Sequence, residues 1–586
     1  MSVKTIFTPQ ESSIKKFIDA KNFYRIPDFQ RSYTWDTEKT IDFIDSVSNA
    51  TKDNQLFLGT IYYHKKDNFY SITDGQQRIV TLFLTLNALR LLGDSSINIY
   101  LYNSNDLAYI DIYEAVPLHN MLFKINDITE INAIKESLDE ITLTKLQIIE
   151  NQKKIYEHLL ENTALRSLFM SGIRHSYLIL IDVPIEKSVY RIFRNINSKG
   201  SPLTDIDIIK NAFFEMIPST KSISTEKQIK YVKWKGIENY LLTDRRELDA
   251  DLVKARKILE SNMTITLNWY LSFILNKIIP SSDFRLATEY EKYLKTPGVD
   301  PTNTIKQLNE FSNTSAYVLF PTQKHPSQKI PKIIHPYLIM LYNIELKQHI
   351  PIFLSLYYRI VKQKMFQRTE NEIVKFCDRF YIFHFAFTTL LSDRGSKIGK
   401  KYAKQALDIF NDDVLDFKIV EDFHSANFYN EEAIYLGIDK RLFYLKDKPP
   451  RVKKINEMLK EYRFYTGADQ IRDFLTFIEY KLNPNEVLIS GINIETIEHI
   501  YDADLDYQNL DNFKLMSFIP LENKLNSVCE GLTFDQKIPI YDQSKYLVTK
   551  EFVKIYKKAS IKTPEYIRSV WRKFLYEKIN SSFFNF

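Results

Sequence analysis

Only 13 glycines occur in 586 residues. Tight turns and two-residue hairpins draw on glycine for positive φ, so so few of them argue against a many-turned all-β protein and for a mostly helical one. The length exceeds what a single hydrophobic core supports, and two to four domains are expected. With 44% hydrophobic and 26% charged residues, the composition is that of an ordinary soluble globular protein. Two cysteines, Cys377 and Cys529, are too few for a disulfide scaffold or a thiolate zinc site, which points to an intracellular, cytoplasmic chain. The N-terminus shows no signal-peptide apolar core. The apolar stretch 265–279 is broken by Asn268, Asn276 and Lys277, so no membrane span is expected.

The most informative local pattern is Asp74-Gly75-Gln76-Gln77-Arg78. Residues 57–63 and 69–73 alternate like two strands joined by the polar turn Lys65-Lys66-Asp67-Asn68. Beyond Gln76, the apolar positions Ile79, Val80, Phe83, Leu86 and Leu89 recur at helical spacing. The five residues thus sit where a strand turns into a helix. A helix start with free amides, a glycine that lets the backbone approach and an arginine that can fork onto oxygens suits a phosphate. An ordinary hairpin-to-helix junction capped by Asp74 has the same local pattern.

A second constellation lies near the C-terminus. Ile497-Glu498-His499-Ile500 forms a short strand with an acid directly before a histidine, followed by Asn512 and then by Asn523 and Asn526. Phosphodiester hydrolysis needs a base for water and a hard cation at the phosphate. Histidine suits the first role, and carboxylate and amide oxygens suit Mg²⁺. The order acid-His, Asn, Asn is that of a ββα-metal (His-Me finger, HNH) site. A histidine at a strand end with unrelated asparagines reads the same way, since asparagine is abundant throughout.

Between these ends, 105–175 reads as a polar helical insertion, and residues 176–181 as another strand. Thr204 with Asp207 reads as a capping-box variant. Helical periodicity dominates 220–440, and Lys448-Pro449-Pro450-Arg451 is the strongest boundary signal. Net charge is +6, which permits nucleic acid without demanding it. Basic clusters at 394–404, 446–454 and 554–573 move the balance toward a polyanion. Most of the 40 Phe and 37 Tyr belong to cores, with a minority available to stack on bases.

Four blocks now resemble the N-terminal domain of GmrSD-type modification-dependent (type IV) restriction enzymes. They are Ile26-Pro27-Asp28-Phe29-Gln30-Arg31-Ser32-Tyr33-Thr34-Trp35; Phe57-Leu58-Gly59; Asp74–Arg78 with Thr81; and Asn195, Ser198, Gly200, Leu203, Asp207 and Lys210. Glu498-His499-Ile500, Asn512-Phe513-Lys514-Leu515, Asn523, Phe534-x-x-Lys537, Tyr541 and Ser544 resemble the HNH nuclease domain of the same family. Two positions depart from the family pattern: Tyr501-Asp502 where a proline usually follows His-Ile, and Asp511 where glycine usually precedes the central asparagine.

The resemblance implies an α+β, predominantly helical protein in three parts. These are a ParB/sulfiredoxin-like NTP-binding and modification-sensing domain (1–215), a helical linker or scaffold (216–445) and an HNH nuclease domain (446–586). It implies NTP hydrolysis at Gly75, Gln76, Gln77 and Arg78, with Asp74 orienting water, Mg²⁺ or Arg78. Gln30, Arg31, Tyr33 and Trp35 line that pocket or read a DNA modification. His499 activates water, Asn512 fixes the loop that orients it, and Glu498 with Asn523 (or Asn526) holds Mg²⁺ or Mn²⁺. The implied partner is double-stranded, modified phage DNA, and the role is anti-phage defence. Alternatives are a nucleotide- or modification-responsive DNA-binding switch with weak or absent cleavage, or a toxin-like enzyme acting on RNA. The number of chains that assemble, a homo-oligomer included, stays open.

Overall fold

The computed structural model describes residues 9–27, 33–66, 69–105, 107–112, 118–137, 142–183, 204–217, 232–242, 251–280, 285–322, 333–343, 347–360, 369–385, 396–412, 415, 468–483, 494–500 and 517–583. The chain divides into two compact units, Met1–Asn268 with Ile279–Asn313, and Trp269–Ile278 with Thr314–Phe586. The expected signals at Gln30, Arg31, 184–203, 446–454 and Asn512 lie outside the described residues.

The first unit is built on a six-stranded mixed sheet. Its strands are β1 (Pro9–Ser13), β2 (Phe23–Ile26), β3 (Leu56–Lys66), β4 (Phe69–Asp74), β5 (Ile110–Ile112) and β6 (Ser176–Asp182), in the order β1-β6-β3-β4-β2-β5. β3 and β4 form the expected antiparallel hairpin, with a register shift between Tyr62 and Tyr63. The strand expected at 176–181 is β6, which joins β3 in parallel and β1 antiparallel. The 105–175 segment is helical as expected, yet it also supplies β5, which pairs in parallel with β2.

The helix Gln76–Leu91 follows β4 at once and is buried almost all round, from Gln76 through Leu89. A helix without a solvent face must satisfy its polar side chains internally. Thr85 donates to the Thr81 carbonyl at 2.8 Å, and Asn87 donates to Gln152 Oε1 at 3.0 Å and the Leu122 carbonyl at 3.2 Å. Gln152 belongs to the helix Leu143–Glu161, which closes over this central helix. Apolar residues of both, among them Phe83, Leu86, Ile148 and Ile155, form one continuous core with Ile61, Ile72 and Leu178 of the sheet.

Among its described residues the second unit is helical apart from one hairpin. β7 (Thr496–His499) pairs antiparallel with β8 (Phe518–Leu521), His499 opposite Phe518. The helix Asn523–Cys529 follows β8 after a single residue. Elsewhere in this unit Asp378, 1% exposed, accepts from Tyr337 and Lys481, each at 2.7 Å. The protein is therefore α+β and predominantly helical, as its scarce glycines required. Among the described residues no helix is long and apolar enough to cross a membrane.

Candidate functional site

The strand-to-helix junction at Gly75 is formed as the sequence suggested, with a different cap. Gly75, not Asp74, is the N-cap residue, at φ +97°, and no side chain caps the helix. A Cβ there would stand 2.9 Å from Ile61 Cγ1, so the turn is both left-handed and too tight for a side chain. The first intrahelical bond runs from Ile79 N to the Gly75 carbonyl at 3.2 Å, and the amides of Gln76, Gln77 and Arg78 precede it. Those amides and the helix dipole favour an anion at this end.

Arg78 supports the turn from behind. Nη1 donates to the Leu58 carbonyl, and Nη2 donates to the Thr60 carbonyl at 2.8 Å and lies 3.9 Å from Asp74 Oδ2. Burial pulls the guanidinium's pKa down, and the Asp74 carboxylate opposes this. Gly59 makes this packing possible: it sits at φ +92°, and a Cβ would come within 2.5 Å of Nη1. The Phe57-Leu58-Gly59 and Asp74–Arg78 blocks are thus two halves of one arginine-clamped turn.

Gln77 and Tyr33 join this turn to the Tyr33–Trp35 segment. Gln77 Oε1 accepts from the amides of Thr34 at 2.9 Å and Trp35 at 3.3 Å. The Tyr33 hydroxyl shares a 2.7 Å hydrogen bond with Thr81 Oγ1, lies 3.4 Å from Thr40 Oγ1 and accepts from Asn151 Nδ2 at 3.2 Å. Asn151 also donates to the Trp35 carbonyl at 2.8 Å, and Arg256 donates to the Tyr33 carbonyl at 3.1 Å. Tyr33 is 3% exposed, and burial pushes its phenol up from the usual value. Trp35 packs on Phe43 with ring centroids 5.7 Å apart. Gln77, Tyr33 and Trp35, expected at a ligand or a modified base, therefore wire this segment to the domain core. Asn151 and Arg256 complete the wiring. Sequence reading passed over both because nothing local marks a partner more than a hundred residues away.

In the second unit, β7, β8 and the helix Asn523–Cys529 give a ββα order with His499 at the end of the first strand. The His499 ring lies against its cross-strand neighbour Phe518, centroids 4.3 Å apart. Glu498, beside it in the strand, is 12% exposed at its side chain; its Oε1 accepts from Lys537 Nζ at 2.8 Å and Tyr541 Oη at 3.3 Å. Lys537 and Tyr541 lie one turn apart on the helix Phe534–Tyr541. Ser544 donates to Glu522 at 2.9 Å. The structure thus brings together Glu498, Lys537 and Tyr541 of the C-terminal resemblance.

This arrangement bears on the expected metal. Among the described residues no three His, Cys, Asp or Glu side chains gather as a metal-holding group. The Lys537 ammonium sits on Glu498 Oε1, the carboxylate that the resemblance assigns to Mg²⁺ or Mn²⁺, so an ion there would share that carboxylate with the ammonium or displace it. Asn523 is exposed at the helix start, its amide donating to Glu495 Oε2 at 3.1 Å. Asn526, one turn on, shares a helix face with Cys529. Burial and the nearby Glu498 carboxylate push that thiol up to about 11. In the C-terminal basic cluster, Lys557 pairs with Asp542 at 2.7 Å and Lys562 lies over the Tyr556 ring at 4.8 Å.

A mixed sheet carrying an arginine-clamped, glycine-started helix defines the first unit as an α+β domain with an anion-ready turn. Residues 14–214, about a third of the chain, match the family model described as the GmrSD restriction endonuclease, N-terminal domain, and this part of the chain is similar to that domain. The match spans β2 through β6 and most of the helix Asp205–Met216, and so includes the clamped turn. No curated protein matches the chain.

Proposed function

We propose that the protein is a phage-defence endonuclease that hydrolyses a nucleoside triphosphate and cuts modified DNA. The observation that carries the reading is the clamped turn within a restriction-endonuclease domain, in one chain with a ββα unit ending its first strand on His499. The amides of Gln76–Arg78 receive the phosphates. Arg78 acts by holding the turn through Leu58 and Thr60, and Asp74 stands beside its guanidinium. The Tyr33–Trp35 segment, tied to the same helix through Gln77, carries the state of the turn to neighbouring Gln30 and Arg31. His499 takes the proton of the attacking water. Glu498 enters as a positioning residue, neutralised by Lys537 beneath the histidine-bearing strand. Asn512 is assigned to the loop that orients His499. DNA phosphates are neutralised by exposed lysines, so binding falls steeply with salt.

The test is incubation with Mg²⁺ or Mn²⁺, with and without NTP, on matched unmodified and modified phage DNAs. His499→Ala and Arg78→Ala run alongside. Cleavage confined to modified DNA, lost in His499→Ala, is the expected result; full cleavage by His499→Ala refutes the nuclease assignment. A second reading, a nucleotide-responsive DNA-binding switch, is favoured by the Lys537 ammonium on Glu498 and by Tyr501 and Asp511. NTP-dependent DNA binding without nicking in Mg²⁺, Mn²⁺ or Ca²⁺ would select it.

A further inference from the structure

The strand pairing that leads into Gly75 contains an irregularity that re-aims a side chain. β3 and β4 pair regularly from Lys66 opposite Phe69 as far as Tyr63 opposite Ile72, and the next pair is Tyr62 with Asp74. Thr73 is therefore the extra residue of a β-bulge, and it is fully buried. Side chains alternate between the two faces along a strand. Ile61 and Ile72 are core residues, and Tyr63 packs against that core with its ring centroid 5.2 Å from that of Tyr70. Tyr62 therefore faces away from the core. Without the bulge Asp74, two residues after Ile72, would face inward. With it, Asp74 shares the outer face with Tyr62.

Tyr62 thus stands between Asp74 of β4 and Ile181 of β6 in the sheet. It is half-buried, and among the described residues its hydroxyl has no hydrogen-bond partner. Tyr24 and Tyr33, by contrast, are committed: Tyr24 donates to the Phe17 carbonyl at 3.3 Å, and Tyr33 is held by Thr81 and Asn151. Burial raises the Tyr62 phenol's pKa and the Asp74 carboxylate adds to the shift, so the group stays a protonated donor at neutral pH. On the other side of Asp74, the Arg78 guanidinium is engaged by the Leu58 and Thr60 carbonyls. An anion seated on the amides of Gln76–Arg78 has the Asp74 carboxylate as a neighbour, which repels it. A neutral O–H beside that carboxylate offers the anion a donor where it extends past Asp74.

We propose that Tyr62 is a further phosphate-binding residue of the clamped turn, its hydroxyl donating to a polyphosphate chain anchored on the amides of Gln76–Arg78. The first phosphoryl group sits on the amides, and the next ones run past Asp74 to the phenol. A single phosphate stops short of it. Tyr62 thereby makes the turn selective for a polyphosphate over orthophosphate. This deepens the nucleoside triphosphate reading above and rests on it.

The experiment titrates the full-length protein with inorganic triphosphate and with orthophosphate, beside Tyr62→Phe and Tyr63→Phe. Tyr62→Phe removes one oxygen from a half-buried side chain, and Tyr63→Phe makes the same change on the core side of the sheet. The expected result is triphosphate binding about tenfold or more weaker in Tyr62→Phe, with orthophosphate binding within about twofold of the parent. Tyr63→Phe should match the parent for both probes, and melting curves of both variants should overlay that of the parent. Unchanged triphosphate affinity in Tyr62→Phe overturns the proposal. An equal loss for orthophosphate, or a melting temperature several degrees lower, also overturns it, because the hydroxyl then supports the turn instead of touching the chain. An equal loss in Tyr63→Phe contradicts the assignment of faces and overturns it as well. Failure of the nucleotide reading looks different. A parent that binds neither probe removes the phosphate turn and the Tyr62 contact together, whereas a parent that binds triphosphate no better than Tyr62→Phe removes the contact alone.

Discussion

Replacing Lys537 with methionine removes the ammonium but keeps most of the buried stem. The pair it breaks is 7% and 12% exposed at its side chains, so the Glu498 carboxylate stays largely out of water and loses its 2.8 Å ammonium contact, while Tyr541 remains at 3.3 Å. Breaking one partner of a buried pair costs about 3–5 kcal/mol, because an uncompensated charge stays behind. For a unit of this size that corresponds to a fall in melting temperature on the order of 10 °C. Lys537→Met with Glu498→Leu should recover most of the loss, since a buried pair exchanged for apolar residues is close to neutral. Urea unfolding of the parent, both single variants and the double variant gives the coupling directly, provided the slopes agree. A Lys537→Met variant within about 1 kcal/mol of the parent, or a double variant less stable than Lys537→Met, would refute a buried, mutually dependent pair.

Gly59→Ala forces a side chain into positive φ and onto Arg78 Nη1, so it should cost about 1–3 kcal/mol and weaken triphosphate binding. Calorimetric titration and melting curves check both; unchanged affinity would separate the clamp from the site. Tyr33→Phe strips the hydroxyl shared by Thr81, Thr40 and Asn151 and should destabilise the first unit by about 1–3 kcal/mol. Protection of the Thr34 and Trp35 amides in hydrogen exchange should fall with it, and unaltered exchange would count against the wiring. In the second unit, burial pushes the Tyr357 and Tyr480 phenols up to about 12. Both stay neutral when folded, while unfolded tyrosine ionises near 10, so their stabilisation is complete below about pH 10 and is lost as pH rises toward 12. Melting curves between pH 8 and 12 should decline across that window, and a flat profile there contradicts it.

What the sequence made legible was local. The β3–β4 hairpin, β6 and the helix after Gly75 each announce themselves by alternation or helical spacing within their own residues. The Thr204–Asp207 capping box is likewise read three residues apart and forms as expected. The roles of Gln77 and Tyr33 were not legible, because a buried glutamine serving two backbone amides and one serving a phosphate look identical in sequence. Their partners Asn151 and Arg256 arrive from distant helices. The pairing of Glu498 with Lys537 was half visible: both residues carry the C-terminal resemblance, but only folding shows that they satisfy each other. Asp74 failed as a cap because the left-handed turn moved that position to Gly75.

The sheet's central pairing also sets a clock. β3 finds its parallel neighbour only in β6, with Leu56 opposite Ser176 and more than a hundred residues of chain between them. At roughly 5–20 residues per second, a ribosome needs on the order of ten seconds to make that connection possible. Throughout that interval the nascent hairpin presents an open edge carrying Phe57, Ile61, Tyr62 and Tyr63, ready to pair with any other extended chain. Chains that stall or are cut between β4 and β6 should therefore aggregate rather than persist as soluble fragments.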